Sequence, residues 1–265
     1  MNQLPATTHM GPVELSVGDL ERSLDYYRTA IGFGVLSENG GEASLGAGET
    51  ELLRLVEEPG AAPSRGYSGL FHFALLLPDR GSLGRWLAHA ARDRVQLTGA
   101  SDHTVSEALY LRDPDSHGIE IYADRPREQW EGRVGRLMGT IPLDLEAVVG
   151  AATEEQRASF DGLPSGTTMG HVHLSVADVD DTVHFYRDEV GFDLTARIGD
   201  QAAFLSAGGY HHHLGGNTWE SRGAGQPPAG TARLRSFTIV VPAADVPEAI
   251  LQDPSGNTVV LQAGG

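Results

Sequence analysis

A segment near the start of the chain recurs without a gap in its second half, and that repeat limits the folds open to it. Residues 10–33 (MGPVELSVGDLERSLDYYRTAIGF) align on residues 169–192 (MGHVHLSVADVDDTVHFYRDEVGF). A second pair of segments follows. Residues 71–78 (FHFALLLP) resemble residues 236–242 (SFTIVVP), and residues 111–122 (LRDPDSHGIEIY) resemble residues 251–262 (LQDPSGNTVVLQ). The chain therefore reads as four related modules, over residues 10–58, 69–125, 169–216 and 233–263.

The first module shows the unit most clearly. Residues 12–17 alternate as a half-buried strand does. Asp19 is placed to cap a helix whose apolar positions Leu20, Leu24, Tyr27 and Ile31 fall on one face, and Gly32 stops it. Strands near 35–38, 42–45 and 51–56 follow, divided by glycine turns. Module two repeats the order, with a strand at 71–77, a helix at 82–94, and strands at 108–111 and 118–122 around the turn 113–118. Module three has Asp178 capping a helix at 180–190, then strands at 194–198, 202–206 and 211–214. Module four is shortened: 33 positions separate Pro78 from Leu111, but 9 separate Pro242 from Leu251. The connection over 126–168 is partly polar, with helices expected at 144–151 and 154–160. The expected class is α+β, built from βαβββ modules. One such module leaves a sheet face bare, so modules pair into curved mixed sheets with a concave interior.

Composition narrows the partners. Lys+Arg 19 against Asp+Glu 36 leaves a net charge of −17, which argues against nucleic acid or an anionic membrane surface. There is no cysteine, hence no disulfide framework and no thiolate chemistry. No stretch approaches the ~20 apolar residues of a membrane span. The N-terminus lacks a basic start followed by an apolar run. A cytoplasmic location is the expectation.

Metal-type residues survive in two of the four modules. At the first-strand position the modules carry Pro12, His72, His171 and Ser236; at the last-strand position module two has Glu120 where module four has Val260. Modules two and three together hold two histidines and one carboxylate, the donor set of non-haem iron oxygenases. Only that pairing gives a complete set, so module two is expected to pack on three around the site, and one on four as support. Glu120, between Ile119 and Ile121, is costly to bury without a partner, although it could face solvent or meet an arginine. His173 shares a strand face with His171, and either could be the ligand. His211, His212 and His213 are expected to alternate faces, so that at most two point inward; a surface metal-binding patch is the plain alternative. Tyr110 could be core packing. His103 lies in a polar loop and by default is exposed, and His117, in the turn DPDSHG, is expected to be solvated. His89 and His184 sit on helices and are given no role. Trp219 and Asn217 could line a pocket mouth or pack on the surface. Pro12 and Glu14 replace the HxH of module three, which suggests that module one is structural.

Several stretches resemble the vicinal oxygen chelate (glyoxalase/bleomycin resistance/extradiol dioxygenase) superfamily, and within it four-module proteins like catechol 2,3-dioxygenase. They are GPVELSVGDLERSLDYYRTAIGF, GLFHFALLLPDR, SDHTVSEALYLRDPDSHGIEIYADRP, MGHVHLSV and GGYHHHLGGNTW. The resemblance implies a vicinal oxygen chelate domain at 1–125, a linker at 126–168 and a second such domain at 169–265. It implies a metal held by His72, Glu120 and His171. Tyr110, ten positions before the glutamate, would be the pocket tyrosine, His212 the acid–base histidine with His213 as the alternative, and His103 a second pocket histidine. In the better-known four-module enzymes the metal modules are the third and fourth; here they are the second and third. The implied activity is extradiol ring cleavage, inserting O2 into a catechol-type diol at Fe(II) or Mn(II). The expected partners are a small aromatic diol and O2, with homodimerisation left open. The alternatives are a glyoxalase-like metal-dependent lyase or isomerase, and a non-catalytic protein that binds a small aromatic.

Overall fold

The computed structural model describes residues 3–242 and 248–264. Module one contributes β1 (His9–Val17), α1 (Leu20–Tyr26) running into a π-helical turn (Tyr27–Ile31), β2 (Gly34–Asn39), β3 (Glu42–Ala47) and β4 (Thr50–Glu57). After a two-residue β5 (Ala62–Pro63), module two contributes β6 (Gly69–Leu76), α2 (Arg80–Asp93), β7 (Gly99–Asp102), β8 (Ser106–Arg112) and β9 (Gly118–Asp124). The connection holds a 3-10 turn (Arg127–Gln129), α3 (Val134–Leu137), β10 (Ile141–Pro142), α4 (Leu145–Gly150) and α5 (Glu154–Ala158). Module three contributes β11 (Thr168–Ser175), α6 (Val179–Val183) with its own π-helical turn (His184–Val190), β12 (Asp193–Ile198), β13 (Ala202–Ser206) and β14 (Leu214–Asn217). Beyond β15 (Thr231–Ala232), module four contributes β16 (Leu234–Val241), β17 (Ala249–Gln252) and β18 (Thr258–Ala263). Part of the shortening of module four falls at 243–247, outside the described residues.

Local chemistry accounts for the helix ends. The Asp19 carboxylate accepts from the Arg22 N–H, and Asp178 accepts from the N–H groups of Asp180 and Asp181, as N-caps do. Gly32 and Gly191 end the two π-helical turns at φ 96° and 105°, a left-handed conformation that glycine adopts without steric cost.

The four modules pair as the ligand positions suggest. One sheet runs β17-β18-β16-β1-β4-β3-β2 and so joins modules one and four. The other runs β10-β7-β8-β9-β6-β11-β14-β13-β12 and joins modules two and three. Each sheet is centred on an antiparallel pair of first strands. In one, Glu14 faces Ser236; in the other, His173 faces His72. The outward residues of the larger sheet (Phe73, Leu75, Leu109, Ile119, Ile121) join one buried cluster with Leu83, Trp86 and Leu87 of α2. Alternation then leaves the opposite, concave face for His72, Ala74, Tyr110 and Glu120.

Modules one and two lie in different sheets, as do modules three and four, and each of these two pairs is tied by a repeated contact. Tyr27, at the end of the first helix, donates to Oδ2 of Asp113 at 2.9 Å, and Tyr186 donates to Oδ2 of Asp253 at 3.0 Å. The other oxygen of each aspartate accepts two backbone N–H groups of its own turn, from Asp115 and His117 and from Ser255 and Asn257. Burial raises the Asp113 carboxyl above its usual range, against the pull of His117 and the Tyr27 hydroxyl.

Three expectations change here. His117 is buried, not solvated: its Nε2–H donates to the Ser16 carbonyl at 2.9 Å, so the turn of module two closes on the first strand of module one. The third strand of module three starts at Leu214, which leaves His211–His213 in the preceding connection. Freed from strand alternation, all three of those histidines are buried. β7 has no apolar alternation in its sequence (GASD) and is a strand because it pairs with β8. Among the described residues no helix is long and apolar enough to cross a membrane.

The repeated tyrosine–aspartate tie carries a prediction. Tyr27→Phe leaves a buried carboxylate oxygen without its donor and should lower unfolding free energy by about 1–3 kcal/mol; Tyr186→Phe should cost less, because the Asn257 Nδ2–H still donates to Asp253 Oδ2 at 2.9 Å. Urea unfolding of each variant checks this; an unchanged midpoint would remove the tie from the account.

Candidate metal centre

The site grows from one row of paired residues crossing four strands. Tyr110 on β8 lies opposite Glu120 on β9, Glu120 lies beside Ala74 on β6, and Ala74 lies opposite His171 on β11. Paired residues share a face, so the row lines the floor of the concave side. Its middle member is alanine, whose methyl group leaves space above β6. His72, two residues earlier on β6 and on the same face, leans into that space.

Three donor atoms converge there. His72 Nε2 is 2.9 Å from Glu120 Oε2, His171 Nε2 is 3.1 Å from the same oxygen, and the two nitrogens are 3.3 Å apart. All three side chains are buried. An octahedral cation with bonds of ~2.1 Å holds neighbouring donors ~3.0 Å apart, so the triangle fits one face of an octahedron. Burial alone would push the Glu120 carboxyl up, but His171 and His72 outweigh it and hold it well below the usual carboxylate range. Burial lowers the His171 imidazole to about 4, against the pull of Glu120. Anionic carboxylate and neutral imidazole are the forms a divalent metal requires.

A cavity of about 520 Å³ opens over this floor, within the size range of small-molecule sites. His72, Glu120, His171, Tyr110, His103, His173 and His212 line its polar side; Phe71, Val105, Met138, Ile198, Phe204 and Trp219 supply apolar wall. His103 is half-buried rather than exposed. Its Nδ1–H donates to the Gly139 carbonyl at 2.7 Å, which leaves Nε2 to accept the Tyr110 hydroxyl at 2.7 Å. Burial, then the charge of Glu120, raises the Tyr110 phenol well above its usual range.

The paired alternatives lie in different places. His171 belongs to the donor triangle, whereas His173 stands opposite His72 with Nε2 unpartnered among the described residues. Its ring lies over Gly215, where a Cβ would come within 2.7 Å of Nδ1. His212 lines the cavity, its ring centroid 4.0 Å from that of His171. His213 lies off the cavity wall, accepting the Ala207 N–H on Nδ1. Trp219 is half exposed at the mouth, while Asn217 is buried away from it. His89 sits in α2, stacked on Phe160.

Two residues given no role in the sequence reading also reach this region. Asp124 accepts from His211 Nε2 at 2.8 Å, and His211 Nδ1 meets His212 Nδ1 at 2.7 Å. The alternation Glu120, Tyr122, Asp124 on one strand was the available signal for Asp124. His211 carried none, because only the loop conformation turns it inward.

Comparison with known proteins follows the same lines. Residues 9–121 and 168–239 match the Glyoxalase/Bleomycin resistance protein/Dioxygenase superfamily. The chain is 44% identical over 248 residues to a catechol-2,3-dioxygenase of Bacillus subtilis (strain 168), covering 91% of this chain and 86% of that one. In fold it is similar to glyoxalase I from Zea mays, with a TM-score of 0.57 at 16% identity, covering 96% of this chain and 92% of that one. It is also similar to the cppA protein from Streptococcus pneumoniae TIGR4, with a TM-score of 0.53 at 12% identity over 99% of both chains. The repeated modules, the match over most of their length and the high identity to one member place this chain in the glyoxalase/bleomycin resistance protein/dioxygenase superfamily.

Proposed function

We propose that this protein is an extradiol ring-cleaving dioxygenase, and that His72, Glu120 and His171 hold its metal. The observation that carries the reading is the buried two-histidine, one-carboxylate triangle at the floor of a largely apolar cavity. The 44% identity to a catechol-2,3-dioxygenase supports a catechol-type diol and O2 as substrates. Fe(II) is the proposed ion, and Mn(II) suits the same donors. When bound, such an ion supplies Lewis acidity toward the diol oxygens and a redox-active centre for dioxygen.

The protein's own groups do the rest. The apolar wall built from Phe71, Met138, Ile198, Phe204 and Trp219 keeps water from the reacting ring. His212 is the proposed acid–base group: burial holds its imidazole well below the usual range, so it enters the reaction neutral and able to accept a diol proton. Tyr110, backed by His103, presents a hydroxyl beside Glu120 that can orient a diol oxygen. A glyoxalase-type isomerase would commonly call for a second carboxylate on the metal, and among the described residues the donor group contains one.

Oxygen uptake is the direct test. Anaerobic reconstitution with Fe(II), then a panel of catechols and oxygen, should give stoichiometric uptake together with a yellow ring-fission product. Metal retention without uptake on any catechol would overturn the reading. His72→Ala and Glu120→Ala should each weaken metal retention more than ~100-fold by metal analysis, beyond the cost of losing a supporting partner, while Pro12→Ala should retain metal. His212→Phe should keep the metal and lower kcat ~10²–10⁴-fold; normal turnover would reject its acid–base role.

The same buried imidazoles make the metal-free protein acid-sensitive. His171 is lowered to about 4 and His213 to about 3, and His173 and His212 lie well below their usual range, in each case chiefly by burial. Between pH ~6.5 and those values the unfolded chain binds protons that the folded one does not. Stability is therefore full above ~6.5 and falls with pH by ~1.4 kcal/mol per unit for each such proton. The Tm of metal-free protein should fall steadily from pH 7 to 4; a flat profile would contradict the neutral, buried state of these rings.

A further inference from the structure

We infer that Asp124 and His211 form a hydrogen-bonded relay that fixes His212 as the tautomer protonated on Nδ1, leaving its Nε2 lone pair for the cavity. The inference rests on the dioxygenase reading only for the use made of that lone pair. The relay itself stands on geometry. Asp124 Oδ1 lies 2.8 Å from His211 Nε2, and His211 Nδ1 lies 2.7 Å from His212 Nδ1. His212 Nε2 has no hydrogen-bond partner among the described residues, and its residue lines the cavity.

The direction of the relay follows from its end group. An ionised carboxylate accepts and cannot donate, so His211 must carry its proton on Nε2. A neutral His211 then has only a lone pair on Nδ1, and the nitrogen facing it 2.7 Å away must be the donor. That nitrogen is His212 Nδ1, so the His212 proton is committed there and Nε2 is left basic. With no acceptor at Asp124, His211 could hold its proton on Nδ1 instead. His212 Nδ1 would then accept, and its proton would move to Nε2, the form that cannot receive a proton from a diol.

The surroundings hold the relay in place. Tyr210 donates to the same Asp124 oxygen at 3.3 Å, and its hydroxyl lies 2.8 Å from that of Tyr122. The Tyr210 ring lies against His211 with centroids 4.0 Å apart and planes tilted by 34°, and Trp130 meets the His211 ring edge-to-face at 5.5 Å. Tyr122 itself reaches over Gly170, where any Cβ would come within 1.9 Å of its hydroxyl. Asp124 and His211 are neither among the three donors nor in the cavity lining and would act through His212, so they are positioning residues. Where a carboxylate sets the tautomer of a catalytic histidine, its loss lowers kcat by orders of magnitude while leaving the geometry intact.

The test reads the tautomer directly. Imidazole ¹⁵N NMR of the full-length, metal-free protein near pH 8 should show His212 protonated on Nδ1 and bare on Nε2. In Asp124→Ala the signal should shift toward the Nε2–H form, and Asp124→Glu should restore it in part. In the metal-loaded enzyme Asp124→Ala should lower kcat at least ~10-fold, with metal content and KM within about two-fold of wild type. A wild-type His212 protonated on Nε2 would overturn the relay whether or not any variant folds. An unchanged tautomer in Asp124→Ala would overturn the role of the carboxylate. A wild-type protein with the expected tautomer and no ring cleavage would leave the relay standing and count against the dioxygenase reading alone.

Discussion

Glu120 sits on a central strand, its side chain 3% exposed, with Ile119 and Ile121 pointing into the apolar layer on the other side. An ionised carboxylate in that setting is tolerated only when paired and hydrogen-bonded. His72 and His171 supply the pairing from the two strands beyond it, and a cation would complete it. Nearly every other feature of the larger sheet serves this one charge. Ala74 leaves the space, the β6–β11 register brings the two histidine strands together, and α2 covers the outer face so that the inner face can be concave.

The smaller sheet shows what the same architecture does without that charge. Its central pair sets Glu14 opposite Ser236, where the larger sheet sets His173 opposite His72. Pro12 and Val260 stand where His171 and Glu120 would be, so no donor triangle can form. Glu14 is instead bound by Arg235, which with Arg233 also bridges Glu58. These half-exposed ion pairs contribute ~1 kcal/mol or less each, but they close the floor with charge already matched. The module that lost residues lies in this sheet, where a shortened edge does not disturb a site. The buried Tyr27–Asp113 and Tyr186–Asp253 contacts then fasten module one to two and module three to four across the two sheets.

Much of this was legible in residue order. The repeat revealed four modules, and the survival of His72, His171 and Glu120 in two of them was enough to pair two with three. Sequence left His171 and His173 open because they share a strand face; the one-residue shift in register between Met169 and His171 lies in the pairing and is invisible in the letters. The HHH run was misjudged because a period of two was assumed where the chain is in a loop, and β7 was missed because pairing rather than pattern makes it a strand. His117 looked like a turn residue open to water until the neighbouring module offered the Ser16 carbonyl. In each case the deciding partner is distant in sequence.

The central claim is that one metal ion sits between His72, Glu120 and His171, in the larger sheet alone. The measurement that tests it most directly is a crystal structure of the Fe(II)-loaded protein, with anomalous data collected on both sides of the iron edge. The account predicts a single peak per chain, within ~2.3 Å of both Nε2 atoms and a Glu120 oxygen. A peak among His211–His213, at His173, or in the sheet of modules one and four would contradict it.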